Sequence, residues 1–215
     1  MPGIAPPSPR RDRLSPAELA WATLSSPVGP LAVGCTAAGL AQVRFRTSPR
    51  DRLRTGLAGP AASGGQPGDP AQARDEMLAA ARDEMLAAAR DQLAEYFAGQ
   101  RQVFDLPLDW SGCSRAQHQV LSVLYDSVGY GKTLTYGDLA QRAVAGPDGI
   151  SLPARAIGRI MGSNPIPLIV PCHRVVAGNG LGGYSGGTGI EVKRWLLIYE
   201  GALPATLDWT AAGLA

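Results

Sequence analysis

Residues 164 to 176 read NPIPLIVPCHRVV, which sets a cysteine, a histidine and an arginine side by side at Cys172, His173 and Arg174. A thiol attacks as its thiolate, and an adjacent imidazole or guanidinium can favour that anion. The ordinary role of a lone cysteine is that of a small buried hydrophobe. Here the two basic neighbours and the rigid approach favour a nucleophile. Pro165, Pro167 and Pro171 fix φ and remove backbone donors, so the segment predicts an edge strand or a pocket wall, not a central strand.

Such a nucleophile must be held by regular elements, and the residues before it supply them. SRAQHQVLSVLYDSV predicts a helix with Val120, Leu121, Leu124 and Val128 on its apolar side. After YGKTLT come two short helices, YGDLAQRAV and LPARAIGRIMG, joined by AGPDGIS, a pattern that resembles a helix-turn-helix. In the second, Ala154, Gly158 and Gly162 recur every fourth residue and leave one face nearly bare. Ile157, Ile160 and Met161 turn to the core, and Arg155 and Arg159 form a basic edge. Two readings of the bare face stand: close approach to a polyanion, or tight packing of one helix on another.

Further upstream the pattern changes. WATLSSPVGPLAVGCTAAGLAQVRF (21–45) has short apolar runs between turn residues and predicts two or three antiparallel strands. Residues 1–18 hold five prolines and predict a flexible tail, and residues 47–72 predict a loop rich in Gly, Pro and Ser. ARDEMLAA at 73–80 is repeated at 81–88, and a diverged third copy opens ARDQLAEYF. Eight residues turn a helix face by about 80°, so this is not a solenoid unit. It predicts one helix lengthened by duplication, with an added partner surface as the other reading. FDLPLDWSGC (104–113) reads as a linker, giving an N-terminal α/β domain over 19–108 and a second domain over 109–215.

The 215 residues suffice for one domain or two small ones, with 45% hydrophobic and 18% charged residues and a net charge of +2. That balance excludes collagen, wholesale disorder and a globally basic nucleic-acid binder. The bases are 18 Arg and two Lys, Lys132 and Lys193, a usage that fits a GC-rich bacterial genome. No apolar run approaches the roughly 18 residues of a membrane span, so no membrane partner and a cytoplasmic, nucleoid-associated location are expected. Cys35, Cys113 and Cys172 form no CxxC pair or zinc-finger spacing. Neither a disulfide framework, a metal nor any cofactor is expected, and Cys35 and Cys113 are read as bystanders.

PCHRV, with Asn164 eight residues before the cysteine and YSGG at 184–187, resembles the active-site region of the O6-alkylguanine-DNA alkyltransferases, also called methylated-DNA–protein-cysteine methyltransferases. SPVGPLAV is similar to that family's first hairpin, YFAGQR and PLDWSG to its passage between domains, and YGKTLTYGDLA through VKRWLLIYEG to its DNA-binding and active-site domain. The fold this implies is α+β (α/β): a small ribonuclease H-like sheet with a helix, then a mainly helical, winged-helix-like domain with a helix-turn-helix.

The resemblance also implies roles. Cys172 is the acceptor of the alkyl group; Glu200 orients His173, which through a water helps deprotonate the thiol; Asn164 shapes the active-site turn. Tyr136 donates its hydroxyl to the departing guanine and crowds the target phosphate. Arg155 fills the place of the flipped nucleotide, while Ala154 and Gly158 let the helix backbone enter the minor groove. Tyr184 and Ser185 form the guanine loop, and Met161, Pro167 and Val175 line the pocket wall. The implied partner is double-stranded DNA containing O6-alkylguanine, and a monomer is expected, its cooperativity along DNA left open. The implied activity is single-turnover, irreversible alkyl transfer; the alternative is an alkyltransferase-like protein that flips damaged bases and signals to another pathway, but such relatives lack the acceptor cysteine.

Some positions depart from the family pattern or stand outside it. Ala116 and Leu121 replace its usual Phe and Trp, which predicts looser packing beneath the site. Arg174 suits either a phosphate contact or an internal bond between domains, His118 a packing or surface position, and Lys193 with Arg194 a solvated helix face.

Overall fold

The strand Leu31–Thr36 (β2) is buried at every residue. It lies between Ala20–Leu24 (β1) and Gly39–Phe45 (β3) in an antiparallel meander, with Trp21 opposite Gly34 and Val33 opposite Val43. The helix Pro70–Phe97 (α1) packs across all three strands. The structure, a computed structural model, describes residues 19–45, 70–146, 149 and 151–205. The expected tail over 1–18 and most of the expected loop, residues 47–69, lie outside the described residues, as do Pro147, Asp148 and Ile150 of the helix connector. Residues 70–72, expected in that loop, are instead the first turn of α1; a proline at the first helical position gives up an N–H that has no intrahelical partner there.

The repeated octapeptide lies within α1, in two environments. Leu86, Ala89, Leu93 and Tyr96, all in the second and third copies, are buried against the sheet and the second domain. The first copy contributes no buried residue, and its Met77 is 71% exposed. The duplication thus lengthens a helix without enlarging the core.

In the second domain, Arg115–Ser127 (α2) opens with a reciprocal capping box between Ser114 and Gln117. Leu134–Thr135 (β4) leads into Tyr136–Ala145 (α3), capped in the same way by Thr135 and Asp138. Ala154–Gly162 (α4) packs on both α2 and α3. Val175–Val176 (β5) pairs in parallel with β4, and Ile190–Tyr199 (α5) closes the domain. Leu121 is fully buried, as are Leu124, Leu139 and Ile157, and Ala116 is half-buried against the same core. The whole is an α+β fold of two domains. They are joined by a backbone bond from Val43 N–H to the Pro165 carbonyl, 2.8 Å.

Of the two expectations for the segment before Cys172, an edge strand or a pocket wall, the strand is not found, while Asn164 and Pro167 line a cavity. Residues 164–171 form a compact turn, with an isolated bridge from Pro167 to Val170. The Asn164 side chain accepts from Ile166 N–H at 3.0 Å and donates to the Val170 carbonyl at 2.8 Å, closing the turn on itself. Leu168 at its centre has φ +75° and is fully buried. A left-handed leucine costs energy and is held by the burial of Ile166, Ile169 and Val170 around it. Among the described residues no helix is long and apolar enough to cross a membrane.

Candidate active site

Cys172 opens a single 3₁₀ turn, Cys172–Arg174, at the end of that rigid loop. It is only 4% exposed, yet it is not sealed in. It lines a cavity of about 490 Å³ together with Tyr136, Ala154, Gly158, Met161, Gly183, Tyr184 and Ser185. That volume lies within the roughly 300–1,000 Å³ of ligand sites. A second cavity of about 290 Å³ lies against β3 and shares Met161, Cys172, Tyr184 and Ser185 with the first, adding Asn164 and Pro167.

Burial raises the Cys172 thiol above its ordinary range; the neighbouring Asn164 amide and the Lys193 ammonium pull it back only in part. The resting sulfur is therefore a thiol. Neither His173 nor Arg174, the neighbours expected to favour the thiolate, acts on the resting sulfur as a cation. The cation acting on the sulfur is Lys193, and the expected solvated face for Lys193 is overturned. Lys193 is fully buried, its Nζ donating to the carbonyls of Val175 at 2.6 Å and Gly183 at 3.2 Å. The reason lies in α5: Val192, Lys193, Trp195, Leu196 and Leu197 are buried while Glu191 and Arg194 are exposed, so Lys193 sits one turn before Leu197 on the inward side. Desolvation lowers its ammonium to about 8. Its Nζ also lies 5.8 Å from the Tyr136 ring centroid.

His173 and Glu200 are in contact. Nε2 lies 2.9 Å from Oε1, and neither side chain is solvent-exposed. Burial alone would favour a neutral Glu200; the bonds from His173 and Arg174 overcome it and hold the carboxyl well below the usual range. A carboxylate only accepts, so Nε2 carries the imidazole hydrogen and Nδ1 keeps its lone pair. Nδ1 is buried and has no protein partner. Burial outweighs the carboxylate and lowers the His173 pKa, so the ring is a neutral base.

Arg174 is spent inside the protein: Nε donates to Glu200 Oε2 at 2.7 Å, Nη2 to Oε1 at 3.0 Å and Nη1 to the Val128 carbonyl at 2.8 Å. With 5% exposure it is no phosphate contact. Its internal bonds lie within the second domain; the link between domains at this point is Tyr96 of α1, whose hydroxyl donates to Glu200 Oε1 at 2.7 Å.

The remaining candidates fall around the cavity. Tyr136 donates to the Gly183 carbonyl at 3.3 Å, and Ser185 to the Gly162 carbonyl at 3.0 Å. These bonds tie the loop 182–187 to α3 and α4. Gly182 in that loop has φ +71°, and a Cβ there would stand 2.9 Å from the Tyr136 ring. The Tyr184 hydroxyl is buried beside the Cys172 sulfur without closing a well-formed hydrogen bond. Val175 is fully buried behind the cavity and lines neither space; it acts through its backbone, pairing with Leu134 and accepting from Lys193. Arg155 is exposed at the start of α4. A Cβ added at Gly158 or Gly162 would meet nothing within 4 Å. Helix packing therefore does not explain these small residues; they keep a surface bare.

His118 lies against Trp110, ring centroids 5.2 Å apart. Cys35 is buried in β2, where desolvation pushes its thiol up to about 12, and Cys113 is half-buried with its thiol also raised by burial. Two residues of the site escaped the sequence reading, Lys193 and Tyr96. For Lys193 a signal existed, a lysine kept on the apolar side of a helix in a chain that otherwise uses arginine. For Tyr96, 104 positions from its partner, none did.

Comparison with known proteins agrees with this geometry. Residues 19–110 match the 6-O-methylguanine DNA methyltransferase ribonuclease-like domain, and residues 115–202 match the DNA-binding domain of the same family. The Mycobacterium bovis methylated-DNA–protein-cysteine methyltransferase is 34% identical over 84% of this chain and 91% of its own length. A Thermus thermophilus DNA base-flipping protein is 42% identical over 50% of this chain and 68% of its own. Shorter matches, at 42–46% identity, span 43–65% of the length of three further methylated-DNA–protein-cysteine methyltransferases. The crystal structure of Mycobacterium tuberculosis OGT in complex with DNA superposes with a TM-score of 0.58 at 34% identity, covering 85% of this chain and 92% of that one. The chain belongs to the 6-O-methylguanine DNA methyltransferase family.

Proposed function

We infer that the protein repairs DNA by moving the alkyl group of O6-alkylguanine onto Cys172, once per molecule. The observation that carries this reading is the place of Cys172 in the wall of a cavity bounded by the bare face of α4 and the loop 183–185. An alkyl group on O6 is buried in duplex DNA, so the base must be turned out at a cost of a few kcal/mol. The exposed Arg155 at the start of α4 fills the gap left in the stack, and the absence of side chains at Gly158 and Gly162 lets the helix backbone press into the groove. Phosphate and shape contacts dominate, as repair at any sequence requires.

With the base in place, His173 Nδ1 takes the thiol proton, through a water if the two atoms do not meet. Lys193 steadies the sulfur anion as it forms, and Glu200 steadies the imidazolium. Sulfur attacks the alkyl carbon, the carbon–O6 bond breaks, and its electron pair stays on guanine, which gains a proton from the Tyr136 hydroxyl; the thiol proton balances the exchange. The product is a thioether with no acyl carbon for water to attack, so the sulfur is not regenerated.

The partner is double-stranded DNA carrying O6-alkylguanine, bound by one protein monomer. The signalling alternative, base flipping without transfer, lacks support from this site because the acceptor cysteine is present and lines the cavity. Titrating the protein against excess lesion duplex tests the reading: restored guanine should plateau at one per protein molecule. Continued turnover, or a plateau at zero, would refute it.

A further inference from the structure

We propose that Tyr96, a residue of the N-terminal domain, positions the Glu200 carboxylate toward His173 and so takes part in activating Cys172. The proposal rests on the alkyl-transfer reading above and adds to it a contribution from the other domain.

The Tyr96 side chain is fully buried. A buried phenolic hydroxyl is costly unless it is bonded, and this one donates to Glu200 Oε1 at 2.7 Å. The same oxygen takes His173 Nε2 at 2.9 Å and Arg174 Nη2 at 3.0 Å, while Oε2 takes Arg174 Nε at 2.7 Å. Arginine alone grips a carboxylate symmetrically and would accept any rotation that keeps its two bonds. The tyrosine breaks that symmetry by fixing Oε1 on the side where His173 lies. Its own place is set by rings of both domains, Phe97, Phe104, Tyr130 and Tyr199, and by the Tyr199 hydroxyl, which donates to the Tyr96 carbonyl at 2.6 Å. Phenylalanine would keep every one of those ring contacts, so packing does not call for the hydroxyl.

The test compares Tyr96→Phe with Tyr125→Phe, which removes a hydroxyl bonded at 3.0 Å to the Phe104 carbonyl beside the same ring cluster but no bond to Tyr96 or Glu200. Single-turnover methyl transfer from an O6-methylguanine duplex, at saturating protein, should slow roughly tenfold in Tyr96→Phe, a fraction of the 10²–10⁴ that a positioned base supplies. Duplex affinity should be unchanged. The ¹⁵N and Nε2–H resonances of His173 should move in Tyr96→Phe and stay in place in Tyr125→Phe. Equal slowing in both variants, or a wild-type rate and unmoved His173 signals in Tyr96→Phe, would overturn the proposal. Should Tyr96→Phe melt too readily to assay, ring-fluorinated tyrosine at position 96 makes a stronger donor of nearly the same shape; it should move the His173 signals, and unmoved signals would again overturn it. A wild-type protein that leaves Cys172 unmethylated would refute the alkyl-transfer reading instead, while the His173 signals would still decide the role of Tyr96.

Discussion

The Nζ atom of Lys193 lies 2.6 Å from the carbonyl oxygen of Val175, three residues beyond the nucleophile. A second bond to the Gly183 carbonyl makes this ammonium the junction between the active-site turn and the substrate loop. Removing the cation should leave only the Asn164 amide and backbone N–H groups to oppose burial at the sulfur. Lys193→Met is therefore expected to move the pH midpoint of Cys172 alkylation by iodoacetamide upward. An unchanged or lower midpoint would show that the ammonium does not act on the thiol.

Glu200 has two buried basic partners, and its loss should be felt in stability as well as rate. Glu200→Gln leaves Arg174, 5% exposed, without a counter-charge, at a cost of roughly 3–5 kcal/mol. The carboxyl is held below its unfolded value, so its contribution is complete above ~4.3 and fades as pH falls below that. The His173 pKa is also lowered by folding; the unfolded chain takes that proton first, and stability begins to fall below ~6.5. Urea midpoints measured from neutral to acid pH should decline in these two stages, and Glu200→Gln should lose the second.

Gly158 separates fold from function. A Cβ there meets nothing within 4 Å, so Gly158→Ala should stabilise α4 by up to about 1 kcal/mol. The same methyl would stand between the helix and the groove, and duplex affinity should fall. Thermal melting and duplex titration of one variant check both signs.

Arg155 is exposed, and Arg155→Ala should change stability by no more than about 0.5 kcal/mol. Its expected work is to offset base flipping, so transfer from duplex DNA should slow much more than transfer from an unpaired single strand. Equal slowing on both would place Arg155 in general phosphate binding.

Much of this was legible because it is local. The apolar spacing of Val120, Leu121, Leu124 and Val128 marks the inner side of α2, and all four are buried. The run around Cys172 announces a constrained sulfur. The segment 164–171 was read as an edge strand or a pocket wall; Asn164 and Pro167 do line a cavity, but short-range side-chain bonds from Asn164 to Ile166 and Val170 fold the segment into a turn where apolar residues between prolines look extended. The cation beside the sulfur was sought in His173 and Arg174, but adjacency in sequence is not adjacency in charge. Both side chains turn to Glu200, 26 and 27 positions away, and the sulfur is left to a lysine of α5.

The most direct measurement is the mass of the peptide containing Cys172 after one incubation with a duplex bearing a single O6-methylguanine. The mechanism predicts one added methyl group on that cysteine, none on Cys35 or Cys113, and none anywhere in Cys172→Ser. A methyl group on another residue, or guanine restored while the Cys172 peptide keeps its original mass, would contradict it.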